Sequence, residues 1–150
     1  LPRMKAALAR GESVVVFCNF DDSRKIVERG LNTTDGVHGK KAKHLRPRHV
    51  EDFQANRIRV LVNNFKSGGA SISMHDKHGG FPRRSFLFIN PNAVLMKQGF
   101  GRVARLEQKS KSYQEVIAFR GGVTDGFSKQ MRKKLANISP LNDGVAVRIF

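Results

Sequence analysis

The sequence predicts a single α/β domain with a central, mainly parallel β-sheet. Two continuous apolar runs, SVVVFCN (13–19) and SFLFINP (85–91), lack the alternation expected of a strand with one wet face, so they fit strands buried on both faces. Helical patterns lie between the predicted strands, which is the order of βαβ units. A chain of 150 residues, 39% of them hydrophobic, can bury one core. No repeat or linker divides it.

Each helix has a local signal for its start or its end. Gly11 is a suitable stop for the first helix. Asp21 and Asp22 favour the start of the second, Pro47 suits the first turn of the third, and Asn92 is a suitable cap for the fourth. The predicted helices are 2–10, 21–31, 47–56, 92–106 and 124–138. The predicted strands are 13–19, 57–64, 85–91, 113–119 and 145–150. Residues 65–84 read as a long loop, and loops of that length in compact domains are usually functional.

The charge balance indicates a polyanionic partner. The chain has 28 Lys and Arg against 12 Asp and Glu, a formal net charge of +16. Nucleic acid is the first candidate and an anionic membrane surface the second. The apolar runs are too short to span a bilayer. The single Cys18 excludes disulfides and thiolate zinc sites and predicts an intracellular, reducing compartment. Because the chain begins with Leu1, we expect a piece of a longer protein.

The stretch QGFGRVARLEQKS (98–110) carries two arginines beside two glycines. GFGRVA (99–104) satisfies the G-x-G-x-x-A pattern, but a dinucleotide site needs its glycines directly after a strand, and about ten residues of helical pattern intervene here. Most arginine pairs three residues apart form a solvated face. However, Gly99 and Gly101 each weaken a helix by up to about 1 kcal/mol, which suggests that something approaches the backbone closely. The residues alone leave a charged face and a phosphate-directed pair both open.

Read with its surroundings, the stretch resembles motif VI of superfamily 2 helicases and translocases, Q-x-x-G-R-x-x-R. Gln98, Gly101, Arg102 and Arg105 match every defined position. Gly99 departs from several helicase groups, which carry an additional arginine there.

Other segments resemble further motifs of these helicases in the expected order. VVVFCNFDDSRKIV resembles motif IV, and SGGASISMHD resembles motif V, with Ser71 where glycine is usual. Between them, Arg46, Val50 and Phe53 have the spacing of the stretch that joins the two motifs. SISMH (71–75), FPRR (81–84) and the motif VI segment occur in the order seen in strawberry-notch-type and viral or phage helicase-like proteins.

The resemblance implies a RecA-like three-layer sandwich that forms the second of two motor lobes. No G-x-x-x-x-G-K-[ST] loop is present in the sequence, so ATP with Mg²⁺ would be shared with an N-terminal RecA-like ATPase lobe. We therefore expect the chain to be inactive alone and to belong to an ATP-dependent helicase or translocase, cytoplasmic, or nuclear or in a viral factory if its source is a eukaryotic virus. The alternative is a non-catalytic basic RecA-like domain that binds nucleic acid or a partner protein.

The resemblance also implies roles for particular residues. Arg105 would be the arginine finger, and Arg102, one helical turn away on the same face, a second phosphate ligand. The two glycines have no side chains, so they would allow the other lobe to approach this face of the helix closely. The predicted nucleotide-side residues are Gln98, Gly69, Ser71 and Gly101. The predicted nucleic-acid contacts are Asn19, Phe20, Gly39, Lys40, Lys66, Ser67 and Gly68.

Several histidines have a simpler interpretation. His75, Asp76 and His78 form a short H-D-x-H cluster that could suggest a metal, but no other carboxylate–histidine pair supports it, so we predict a structural or hinge role and no metal site. His38 and His44 are predicted to lie in surface loops. Cys18 is expected to be an inert core thiol.

Overall fold

The computed structural model describes residues 1–67 and 72–118, the helical residues 126, 128–131, 133 and 134, and the backbone of 147–149. Four helices have defined bounds: α1 (Pro2–Ala9), α2 (Asp21–Leu31), α3 (Leu45–Gln54) and α4 (Ala93–Val103). Five strands have defined bounds: β1 (Ser13–Cys18), β2 (Val60–Asn64), β3 (Arg83–Phe88), β4 (Ser112–Ile117) and β5 (Val147–Ile149).

The strands form one sheet in the order β2-β1-β3-β4-β5, and every neighbouring pair is parallel. All six residues of β1 are buried, as expected for a strand with helices on both faces. One hydrophobic cluster joins α1 and α2 to one face of the sheet, and a second joins α3 and α4 to the other. The predicted three-layer, mainly parallel α/β sandwich is thus confirmed.

The predicted local signals act where they were expected. Gly11 has a φ of +85° just after α1, a conformation that glycine adopts without strain. The side chain of Asn92 caps α4 by accepting hydrogen bonds from the backbone N–H groups of Val94 and Leu95. Asp21 and Asp22 lie in the first turn of α2.

Several predicted boundaries differ from the structure by one to three residues; β2, for example, begins at Val60 instead of Arg57. β3 begins at Arg83 instead of Ser85, because this arginine is fully buried and paired by the fold. α3 begins at Leu45, ahead of Pro47. α4 ends at Val103, three residues early, which changes the interpretation of the arginine pair. The helix predicted for 124–138 is observed at 126–134 where the structure describes it, and β5 confirms a strand near the C-terminus. None of the described helices is long and apolar enough to cross a membrane.

Candidate functional site

Arg102 and Arg105 do not share a helical face, so that prediction is wrong. Arg102 lies in the last turn of α4, whereas the backbone is already extended at Ala104 and Arg105 follows outside the helix. Tertiary hydrogen bonds replace the next helical turn. The Arg102 carbonyl accepts from the Met74 N–H at 2.7 Å, and the Val103 carbonyl lies 3.4 Å from the Ser112 hydroxyl oxygen. Local helical pattern cannot reveal these partners.

Arg102 is buried, with 7% of its surface exposed. Its guanidinium donates to the Ile72 carbonyl at 3.4 Å, which links α4 to the segment that resembles motif V. Burial lowers the pKa of Arg102, and the nearby positive charge of Arg105 lowers it further. The two guanidinium groups therefore add positive charge to the same region, which favours an anion there.

Arg105 is exposed in a turn, and within the part of the chain that the structure describes it forms no ion pair with a carboxylate. Several other arginines are ion-paired with carboxylates. Arg84, for example, contacts both Glu12 and Glu115. The backbone around Arg105 is nevertheless held: its N–H donates to Gln108 Oε1 at 3.2 Å, and its carbonyl accepts from the Gln108 N–H at 3.1 Å.

The surroundings of the arginine pair are positively charged. His75 is buried beside them, and its Nδ1 has no hydrogen-bond partner among the described residues. Burial lowers the pKa of His75; the charges of Lys77, Arg105 and Arg83 act in the same direction, and Glu107 opposes them. The cations near His75 outnumber the one opposing carboxylate, so this region has a positive potential that attracts an anion.

The two glycines of α4 have different roles. A Cβ on Gly99 would lie 2.7 Å from Leu87 Cδ2 and 3.2 Å from Phe65 Cε1, so this glycine lets the helix pack closely on the sheet. It faces the core, which corrects the prediction that it lowers the outer face. Gly101 is exposed, with open space where a Cβ would be, and Gln98 is exposed on the same helix. The outer face of α4 is therefore accessible at both of these predicted nucleotide-side positions.

Asp76 is fully buried next to the turn that carries Arg105. Its carboxylate is the centre of a hydrogen-bonded group of side chains that we call the buried hub. Its Oδ1 accepts from the backbone N–H groups of His78 at 3.1 Å and Gly79 at 3.0 Å, and from Asn56 Nδ2 at 3.0 Å. Its Oδ2 accepts from the Ser110 hydroxyl at 2.6 Å. Although burial opposes the effect, these bonds hold the pKa of Asp76 well below its usual range. The carboxylate has a structural role, as predicted for this segment.

Arg83 completes this hub and was not singled out by sequence reasoning. Its guanidinium lies 3.8 Å from Asp76, donates to the Phe53 carbonyl at 2.8 Å and stacks on the Phe53 ring at 4.4 Å. Burial lowers its pKa to about 10, and the charge of Asp76 opposes that shift. The FPRR segment (81–84) was the available signal for this role. Two arginines next to an apolar strand are drawn toward the core, where they need internal hydrogen-bond partners.

A second group of predicted residues lies at the carboxyl edge of the sheet. Phe20 follows β1 and is 71% exposed. Asn19 is instead used by the fold: its Nδ2 donates to the Ile89 carbonyl at 2.7 Å, and its Oδ1 accepts from Asn90 Nδ2 at 2.8 Å. Its amide therefore joins the loops after β1 and β3.

The remaining described members of this carboxyl edge lie near one another. A Cβ on Gly39 would be 3.9 Å from the Ser67 hydroxyl, and the Ser67 N–H donates to the Asn64 carbonyl at 3.2 Å. Lys40 is exposed and its Nζ lies 3.0 Å from the carboxylate of Asp21. Bonds from Lys40 and Asn64 hold the pKa of Asp21 below its usual range. Lys66 is exposed beside them.

Three predicted site residues, Gly68, Gly69 and Ser71, lie outside the described residues. The described parts of the chain contain no group of three or more His, Cys, Asp or Glu side chains that could hold a metal ion.

The prediction for His38 is wrong and that for Cys18 is confirmed. His38 is buried, 3.3 Å from the guanidinium of Arg24 and 3.5 Å from the carboxylate of Glu28. Burial lowers its pKa and the charge of Arg24 adds to the shift. A turn-rich sequence around His38 gave no sign of this pairing. His44 is exposed at the start of α3, and burial raises the pKa of the Cys18 thiol to about 12.

No protein-family model matches the chain. Over 138 residues the chain is 33% identical to the "Putative ATP-dependent RNA helicase L364" of Acanthamoeba polyphaga mimivirus. The alignment covers 91% of this chain and 26% of that protein, so the chain spans about a quarter of the relative's length.

Two solved structures share the fold at low sequence identity. The yeast DEAD-box splicing factor Prp28 superposes with a TM-score of 0.68 at 13% identity, over 99% of this chain and 31% of that one. The C-terminal part of the Fun30 ATPase domain superposes with a TM-score of 0.65 at 15% identity, over 82% of this chain and 40% of that one. The chain therefore has the RecA-like fold of helicase C-terminal domains and is similar in sequence to a viral protein described as a helicase.

Proposed function

We propose that this chain is the second RecA-like lobe of an ATP-dependent nucleic-acid helicase or translocase, and that Arg105 is its arginine finger. The observation that carries the proposal is an exposed guanidinium, without a carboxylate partner among the described residues, beside the buried Arg102. Such a cation is suited to an anion supplied from outside the domain.

Phosphoryl transfer explains why a cation would be presented in this way. Negative charge spreads over the γ-phosphoryl oxygens in the transition state, and a guanidinium inserted from a neighbouring lobe stabilises it. Guanidinium is suited to this role because its planar fork matches phosphate oxygens and it stays charged. Arg102, whose guanidinium donates to the Ile72 carbonyl, would be the second phosphate ligand or its positioner.

The described residues fit the phosphate end of a nucleotide. The positive surroundings of His75 and the accessible face at Gln98 and Gly101 leave room for an anion next to the arginines. Gly69 and Ser71 remain proposed nucleotide contacts on the strength of the motif V resemblance. ATP would supply the phosphoryl group, and Mg²⁺ would be held by its phosphates and the first lobe.

The carboxyl edge of the sheet is the proposed nucleic-acid track. Lys40, Lys66, Ser67 and the exposed ring of Phe20 can contact a sugar-phosphate backbone without reading its sequence. The proposal includes the backbone of Gly39 and Gly68, and Asn19 is proposed to support these contacts by holding its loop. RNA is the first ligand to test, because the mimivirus relative is described as an RNA helicase.

The test is Arg105→Ala in the full-length protein. We expect ATP turnover to fall by roughly 10³–10⁵, the range measured for arginine fingers, while the affinity for a non-hydrolysable ATP analogue changes little. The matched control is Arg29→Ala, an exposed arginine on α2. Near-normal turnover of the Arg105 variant would contradict the finger role.

ATP turnover by the full-length protein also distinguishes the motor from the alternative function. A non-catalytic basic RecA-like domain would bind RNA in a salt-dependent manner. The full-length protein would then show no nucleic-acid-stimulated ATP turnover.

A further inference from the structure

We infer that Gln108 is a positioning residue that fixes the backbone of Arg105, and with it the direction of the finger. The inference rests on the proposed function of Arg105. Gln108 lies beyond the Q-x-x-G-R-x-x-R pattern, and its side-chain oxygen contacts the Arg105 backbone and the Ser112 hydroxyl.

Gln108 holds Arg105 by two reciprocal hydrogen bonds. The Arg105 N–H donates to the Gln108 side-chain oxygen at 3.2 Å, and the Gln108 N–H donates to the Arg105 carbonyl at 3.1 Å. Both polar backbone groups of Arg105 are thereby satisfied outside the helix. The peptide planes that flank the finger are fixed from both sides.

The same side chain ties this turn to the sheet. Gln108 Oε1 also accepts from the Ser112 hydroxyl at 2.5 Å, and Ser112 is the first residue of β4. A second tether follows directly, because the Lys109 N–H donates to the Asp76 carbonyl at 2.9 Å and the Ser110 hydroxyl donates to the Asp76 carboxylate. The turn is thus anchored to β4 and to the buried hub.

These tethers are needed because hydrophobic packing does not hold the turn. Leu106 is 99% exposed, and Glu107 is exposed beside it. α4 has already ended at Val103, so the helix does not fix Arg105 either. A catalytic group misplaced by about 1 Å can lose roughly 10²-fold in rate, so the Gln108 bonds should matter for turnover more than for stability.

The experiment compares variants of the full-length protein at saturating RNA. We expect Gln108→Ala to lower kcat for ATP by about 10- to 100-fold, with the affinity for a non-hydrolysable ATP analogue and the thermal midpoint close to those of the unmodified protein. Gln130→Ala, an exposed glutamine of the helical segment, is the matched control.

A double variant separates positioning from general damage. In the Arg105→Ala background, Gln108→Ala should cause no further loss of kcat, because the group it positions is gone. Normal turnover of Gln108→Ala, or an additional loss in the Arg105→Ala background, would each overturn the inference. If Arg105→Ala itself turned over ATP normally, the proposed function would fail; if only Gln108→Ala did so, this inference alone would fail.

Discussion

The region at the end of α4 and the carboxyl edge of the sheet both contain charged residues, but the two regions hold them in different ways. At the end of α4, polar groups are buried and satisfied by the fold: Asp76 and Arg83 are fully buried, and Arg102 nearly so. At the carboxyl edge, Lys66 and the ring of Phe20 are exposed, and the ion pair of Lys40 with Asp21 is open to solvent. The end of α4 is therefore preorganised by internal bonds, whereas the carboxyl edge presents its charges on an exposed surface.

This difference matches what each region is proposed to do. Stabilising a phosphoryl transition state requires groups that are already fixed in place, because reorganisation at the moment of reaction costs rate. Holding a sugar-phosphate backbone of any sequence requires mainly positive charge and small donors. Substitutions at the α4 end should therefore change stability or rate, whereas substitutions at the carboxyl edge should change binding alone.

The largest effect on stability is expected for Asp76→Ala. The change leaves the buried Arg83 without its counter-charge and removes the acceptor of the bonds from Asn56 and Ser110. We expect the free energy of unfolding to fall by roughly 3–5 kcal/mol, measured by urea denaturation. Glu51→Ala, at an exposed carboxylate on α3, is the control and should change it by less than about 0.5 kcal/mol. A small loss at Asp76 would mean that the α4 end is not preorganised by this hub.

Alanine substitutions at the two glycines of α4 should change the free energy of unfolding in opposite directions. At Gly99 the new methyl group meets Leu87 and Phe65, and overpacking of about 1–3 kcal/mol outweighs a helix-propensity gain of up to about 1 kcal/mol. At Gly101 the methyl group enters open space, so the fold should become more stable by up to about 1 kcal/mol. Urea denaturation measures both. Stabilisation by Gly99→Ala would contradict the close contact of α4 with the sheet.

At the carboxyl edge, Lys66→Ala should weaken RNA binding without altering the fold. Loss of one phosphate contact should reduce the slope of log K against log salt by about 1, equally for RNAs of different sequence. Fluorescence anisotropy across a salt series measures this slope. Lys5→Ala, on the outer face of α1, is the matched control. A loss that depended on RNA sequence would show that this edge reads bases.

The smallest effect is a pH dependence contributed by one buried histidine in each region. The pKa values of His38 and His75 are lowered in the fold from 6.5, first by burial, so the unfolded chain binds protons more readily. Their contribution to stability is therefore complete above pH 6.5 and decreases as the pH falls below that value. Urea denaturation at pH 7.5 and 5.5 should show this loss.

Replacement of either histidine tests whether His38 and His75 cause this pH dependence of stability. His38→Gln and His75→Gln should each reduce the pH dependence, whereas His44→Gln, at an exposed position, should leave it unchanged. An undiminished pH dependence in both buried variants would assign the effect to other groups.

Much of the architecture could be predicted from local patterns. The continuous apolar run that became β1, the Asn92 cap and the Gly11 stop each act through neighbours a few residues away, so the sequence order displays them directly. The predicted site stays a prediction, and the structure shows only where its residues lie. The exposed positions of Arg105, Gln98 and Gly101 agree with an interface, whereas Asn19 and Arg102 are engaged by partners distant in sequence.

By itself, the sequence determined the α/β class, the positive charge and the likeness of residues 98–105 to a helicase motif, because composition, periodicity and short motifs are properties of neighbouring residues. Only the tertiary structure decided that α4 ends between the two arginines, that Gly99 faces the core and that Gln108 holds Arg105. Each of those outcomes depends on a contact with Met74, Leu87 or Ser112, which belong to other segments of the chain.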